Sequence, residues 1–167
     1  MLTRVLAEAD APAFYGLRQR ALREHPEAFG MSPEEVGPVE VVAERFRANT
    51  DTASSFVMGA FDPELAGIVG CARERGVKQR HVALIWGMYV APERRGSGVG
   101  RRLLTAVIEQ ARRWPDLEQL CLDVVTVQTE ARALYLACGF EVVGLKRRRV
   151  KVGDRYYDEE HMELPLR

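Results

Sequence analysis

The run Pro92-Glu93-Arg94-Arg95-Gly96-Ser97-Gly98-Val99-Gly100-Arg101 sets three glycines at alternate positions among three arginines. Glycines at 96, 98 and 100 let successive backbone N–H groups face one concavity without Cβ interference. Arg94, Arg95 and Arg101 add charge-assisted hydrogen bonds of the kind phosphate oxygens accept. The run joins an apolar stretch ending at Tyr89-Val90 to an amphipathic stretch beginning near Val99, so it reads as a strand, a turn and a helix start. The helix turns its positive dipole end to the same place. This is the chemistry of a polyphosphate cradle. A nucleoside triphosphatase loop would need a Lys-Ser or Lys-Thr pair after its last glycine, and none follows here. A dinucleotide fingerprint would follow the first strand of a repeated βαβ array, whereas this loop lies near mid-chain.

The elements that must hold the loop follow from periodicity. Residues 3–8 read as a short strand, after which Asp10 caps a helix with Phe14, Leu17, Ala21 and Leu22 on one face until Pro26 ends it. A second helix is expected over 34–48, weakened at Gly37-Pro38. Strands at 55–61, 66–74 and 81–90 suggest an antiparallel meander. Val99, Leu103, Leu104, Val107, Ile108 and Ala111 recur at helical spacing until Trp114-Pro115. A strand from near Gln119 alternates Leu120, Leu122 and Val124, Thr129 is placed to cap a helix over 130–137, and two last strands over 140–150 and 156–164 meet at Gly153-Asp154. The result is one α/β unit, in which the strand before the loop and the strand after its helix are parallel neighbours.

The whole chain sets limits on partners. Its 167 residues suffice for one ordinary domain. Lys and Arg total 24, as do Asp and Glu, which argues against a general nucleic-acid or membrane-surface protein. The N-terminus lacks a signal-peptide core, and no run approaches the roughly 18 apolar residues of a membrane span, so a cytoplasmic location is expected. Cys71, Cys121 and Cys138 contain no Cys-x-x-Cys pair, and His25, His81 and His161 have no metal-ligand spacing. Reduced structural thiols and no metal are expected.

Arg95-Gly96-Ser97-Gly98-Val99-Gly100 matches the pattern Arg/Gln-x-x-Gly-x-Gly/Ala, and in this the chain resembles the GCN5-related N-acetyltransferase (GNAT) family. Leu122-Asp123-Val124, Ala131, Leu134-Tyr135 and Gly139-Phe140 extend the resemblance over residues 82–145. It implies a single domain spanning 1–167, with an α+β, three-layer fold of the acyl-CoA N-acyltransferase type. Its centre is a mixed, mostly antiparallel sheet of about six or seven strands flanked by helices. It implies acetyl-CoA as donor, with the pyrophosphate at Arg95, Gly96, Ser97, Gly98, Val99, Gly100 and Arg101. The pantetheine arm would lie beside Met88, Tyr89 and Val90. The arm's two amides pair with the N–H and C=O groups of that strand if it splays from its parallel neighbour. Gly87 is placed for the bulge this requires, or it relieves crowding beside Trp86. Gln128 stands where many relatives carry an asparagine on the cofactor arm; it serves that contact or faces solvent.

Transfer to an amine needs a neutral nucleophile, support for an oxyanion and a proton for the departing thiolate. The resemblance puts Tyr135 in the last role, against the plainer reading of an aromatic that packs helix on sheet. A backbone N–H near Val90 could support the carbonyl oxygen. Many relatives place a glutamate base on the strand before the loop, but residues 82–90 hold no acidic side chain. Asp123 in the next strand is the candidate base, or an outward-facing residue. Glu93 is expected against Arg94 or Arg101, while Glu34, Glu35 and Asp158 are remoter, and a water chain or an acceptor that arrives neutral would serve instead.

The acceptor is expected between the early helical region and the last strands. Acidic residues within 24–35 suit an amine, whereas the basic run 146–151 suits an anionic acceptor or a nucleic acid, or else a protected sheet edge. The favoured reading is acetylation of a primary amine on a small metabolite, amino acid or peptide. The competing readings are a CoA-binding regulatory module with little activity, and a protein or ribosomal-protein N-acetyltransferase. Family members often form dimers, so a homodimer is among the implications.

Overall fold

The computed structural model describes residues 1–48 and 54–167. The elements are β1 (Leu2–Val5), α1 (Ala11–Glu24), α2 (Val39–Ala48), β2 (Ser55–Phe61), β3 (Leu65–Arg73), β4 (Val82–Val90), α3 (Val99–Ala111), β5 (Gln119–Val125), α4 (Thr129–Ala137), β6 (Glu141–Val152) and β7 (Arg155–Pro165). The strands form one seven-stranded sheet in the order β1-β2-β3-β4-β5-β7-β6. Of its neighbouring pairs only β4 and β5 run parallel. This is the mixed, mostly antiparallel sheet, and the parallel pair flanking the glycine loop, that the sequence leads one to expect.

Each face of the sheet has its own core. All six residues at helical spacing in α3 are buried, and with Phe56, Val69, Leu120, Leu122, Phe140 and Met162 they fill one face. Trp114 closes that core with its ring edge-on to Phe56, centroids 5.5 Å apart. On the other face α1 and α2 meet through Phe14 and Phe46, 5.2 Å apart, and cover Val57, Ile68 and Tyr89. Covered on both sides, β2 and β3 are buried almost without alternation.

Three local expectations are corrected. Asp10 precedes α1 but makes no side-chain cap bond; its carboxylate accepts instead from the Ala7 N–H at 2.8 Å and from both Arg4 Nη atoms. The helix expected over 34–48 is two pieces, a 3-10 turn at Pro33–Val36 and α2 from Val39. Pro38 lacks the N–H that would join them and fits only a first turn. Thr129 lies inside α4 rather than capping it: the preceding position is Gln128, whose side chain makes no cap bond.

The basic run lies on β6, one of the two edge strands, where Arg147, Arg148 and Arg149 are exposed. The strand bulges between Lys146 and Val150, and Asp158 accepts the Arg148 N–H there at 2.7 Å. A twisted, charged edge of this kind resists pairing with other sheets.

Candidate active site

The site begins where the parallel pair ends. Strands β4 and β5 are paired only from Val82↔Gln119 to Leu84↔Cys121, and beyond Leu84 they separate. A bulge in β4 accompanies the parting: the register with β3 jumps from Gly70↔Trp86 to Ile68↔Tyr89. Gly87 occupies the bulge at φ +65°, a conformation few residues other than glycine adopt. The bulge reading of Gly87 therefore holds. A cleft of about 420 Å³ opens between the strands.

The glycine loop closes one end of this cleft. Gly98 precedes α3 at φ +83°, and the first intrahelical bond runs from the Arg102 N–H to the Gly98 carbonyl at 3.1 Å. The N–H groups of Val99, Gly100 and Arg101 thus come ahead of the helical ladder, in the geometry that binds anions. Gly100 meets a different need: a Cβ there would lie 3.1 Å from Leu134 Cδ2, so its absence lets α3 pack closely on α4. Arg94, Arg95, Gly96, Gly98, Val99, Gly100 and Arg101 all line the cleft. Ser97 is not among the lining residues; its hydroxyl donates to the Arg94 carbonyl at 2.7 Å and closes the turn. Arg95 reaches inward, where its Nε donates to the Val90 carbonyl at 3.0 Å and Nη2 lies 3.2 Å from His25 Nε2.

Met88, Tyr89 and Val90 form one wall of the cleft, with Leu122 to Val125 and Gln128 opposite. Gln128 does more than face solvent: its Nε2 donates to Glu27 at 2.7 Å and so ties the segment after α1 to the start of α4. Tyr135 is buried on the same wall, its ring edge-on to Phe140 at 6.0 Å. Burial pushes its phenol well above the ordinary range, so the proton stays on the oxygen throughout the neutral range.

Asp123 lies on the wall but is not free. Lys146 Nζ sits 2.7 Å from both carboxylate oxygens, and His161 Nδ1 is 2.7 Å from one of them. Burial alone would raise its pKa; the hydrogen bonds and charges of Lys146 and His161 outweigh burial and hold it below the ordinary value. A carboxylate with lowered proton affinity is a weak base, which tells against the expected role. The remoter carboxylates are committed elsewhere or lie outside. Glu35 caps its own turn through Ser32, Asp158 holds the β6 bulge, and Glu34 is exposed. Glu93 pairs with Arg20, not with Arg94 or Arg101, and that contact draws its pKa down to about 2.

Beyond the cradle the cleft continues to His25, Ala28, Phe29 and Trp86. The segment His25 to Phe29 was legible as a candidate from its acidic neighbours; Trp86 was not, because a lone aromatic in an apolar strand reads as core. Its 37% exposure marks it out.

The sequence pattern of the acetyltransferase (GNAT) family matches residues 14–140. The chain is 31% identical over 137 residues to an aminoglycoside N(6')-acetyltransferase type 1 of Stenotrophomonas maltophilia, covering 80% of this chain and 81% of that protein. It is 28% identical over 165 residues to a phosphinothricin N-acetyltransferase of Alcaligenes faecalis, covering 98% of this chain and 81% of that protein. Among solved structures, YncA of Salmonella typhimurium with its cofactor acetyl-CoA superposes with a TM-score of 0.87 at 20% identity, over 100% of this chain and 94% of that one.

Proposed function

This chain belongs to the GNAT acetyltransferase family and is an N-acetyltransferase, and from that premise we propose that it moves the acetyl group of acetyl-CoA directly onto a primary amine of a small molecule. One observation carries the reading: the strands part after Leu84 at a bulge, and the cleft between them is lined by the glycine cradle and by the buried Tyr135. Both curated relatives named above act on small molecules, which favours such an acceptor over a ribosomal protein.

The residues present fit acetyl-CoA. The N–H groups at the start of α3 suit a pyrophosphate, with Arg94, Arg95 and Arg101 beside them. The edge of β4 that turns from β5 offers Met88, Tyr89 and Val90 to an extended, amide-bearing arm. Arg95 would release the Val90 carbonyl when its guanidinium turns to phosphate. When bound, acetyl-CoA supplies an activated thioester.

Tyr135 holds the proton that a thiolate leaving group requires. A backbone N–H at residues 88–90 supports the carbonyl oxygen as charge grows on it. Asp123, a carboxylate on the cleft wall, has its proton affinity lowered, so in this reading the amine enters neutral or gives its proton to water. Asp123 in this reading serves to hold Lys146 and His161 on strands β6 and β7.

A panel of amino acids, aminoglycosides and N-terminal peptides, each incubated with acetyl-CoA and followed by mass spectrometry, tests the proposal. Acetylated small amines are the expected product; acetylation confined to peptides or proteins would overturn the small-molecule assignment.

A further inference from the structure

Arg18 lies on the buried face of α1, flanked in sequence by the buried Leu17 and Gln19, and is only 6% exposed. Among the described residues its guanidinium has no carboxylate partner and no hydrogen bond, and Nη1 is wholly enclosed without an acceptor. Its contacts are aromatic: Phe29 lies over the guanidinium at 4.7 Å and Trp86 at 6.0 Å. The backbone of β4 passes so close that a Cβ on Gly87 would come within 3.1 Å of Nη1. Phe29, Trp86 and Gly87 all line the cleft.

A guanidinium removed from water without an anion is costly, and contacts to two rings return only part of that cost. Burial draws its pKa down to about 10, which still leaves the cation intact at neutral pH. The charge is therefore kept, uncompensated, one layer of aromatic side chain behind the acceptor space. Trp86, 37% exposed, lies on the solvent side of this pair of rings, and Phe29 is the nearer to the guanidinium.

We propose that Arg18 is the anion-recognition residue of the acceptor site, and that the acceptor is an amine bearing an oxyacid group, an amino-acid-like zwitterion rather than a polycation. The planar guanidinium fork matches a carboxylate or phosphonate in two parallel hydrogen bonds, and the ligand supplies the negative charge that the fold withholds. A polyamine brings only like charge to this wall. The inference rests on the amine-acetylation reading above.

The test compares wild type with Arg18→Met and Arg18→Lys on amino acids, their neutral primary amides, aminoalkylphosphonates and spermidine. Two readouts are used: kcat/KM, and calorimetric binding of the same compounds to the CoA complex. Wild type is expected to favour at least one acid over its amide by about tenfold or more, and Arg18→Met to bring that ratio near one, with Arg18→Lys between them. The KM for acetyl-CoA stays unchanged. Carboxylate and phosphonate arms identify which oxyacid is preferred. The apo Arg18→Met protein should melt at or above the wild-type temperature, because an unpaired buried charge has been removed. An unchanged acid-to-amide ratio in a folded Arg18→Met or Arg18→Lys protein overturns the proposal, as does a wild-type preference for amides or spermidine. Acid binding that is lost in Arg18→Met while no amine is acetylated would sink the transfer reading and uphold the Arg18 site. Acetylation of neutral amines with no binding of acids would do the reverse.

Discussion

Single side chains decide which groups in the cleft hold protons. Asp123 is shared between Lys146 and His161 and its proton affinity is lowered, so it remains a carboxylate well into the acid range. Asp123→Asn should therefore cost less than about tenfold in kcat/KM, whereas loss of a general base costs about 10²–10⁴-fold. Steady-state rates against pH check this: kcat/KM should climb with the free-amine fraction, with no separate break in the carboxylate range. The bulge at Gly87 and the polyphosphate loop over 95–101 could be read from residue type and spacing, whereas the candidate role of Tyr135 came only from the family resemblance. The engagement of Asp123 could not, because Lys146 and His161 reach it from strands that become neighbours only in the folded sheet. Arg18 left one trace, a charge at a core-facing position between Phe14 and Ala21.

Elements matter here for what they hold apart. Gly98 caps α3 with a positive φ, and a Cβ there would meet nothing within 4 Å. Gly98→Val therefore acts through backbone strain of about 1–3 kcal/mol rather than by filling the cradle. Calorimetry should find acetyl-CoA binding weakened by roughly tenfold or more at that strain in a folded variant, and unchanged affinity would remove the cradle from the phosphate role. Strand β4 is tied to α1 by the Tyr89 hydroxyl, which donates to Glu24 at 2.5 Å. Burial first, and that bond second, push the Tyr89 phenol up to about 12. Folding thus raises its proton affinity, so the associated stability is complete below pH 10, the ordinary value, and is lost as pH rises through about 12. Urea midpoints across this range should fall less steeply for Tyr89→Phe than for wild type. Boundaries were legible where period and turn residues agreed, as in α3; the break at Gly37-Pro38 was signalled but outweighed by the apolar spacing around it.

At the scale of the molecule, two cores share one sheet, and the strands between them are buried on both faces. Damage to either core should therefore be felt by the whole sheet. Leu104 is fully buried in α3, and Leu104→Ala should cost about 2–5 kcal/mol, with the fluorescence of Trp86 and Trp114 and far-ultraviolet dichroism changing together on unfolding. Separate transitions would mean that the two cores unfold independently. The order of elements, the meander and the parallel pair were readable in one dimension. The length of the parted segment was not, since it depends on how far β4 and β5 diverge after three paired positions. In the proposed reading that parting lets one cleft hold an acyl donor and an amine, and the central claim is that Tyr135 protonates the thiolate released there. The direct measurement is amine-dependent release of free CoA thiol by wild type and Tyr135→Phe at saturating acetyl-CoA. The expected result is a fall in kcat of about 10²-fold with the KM for acetyl-CoA little changed; equal rates of thiol release in the two proteins would contradict it.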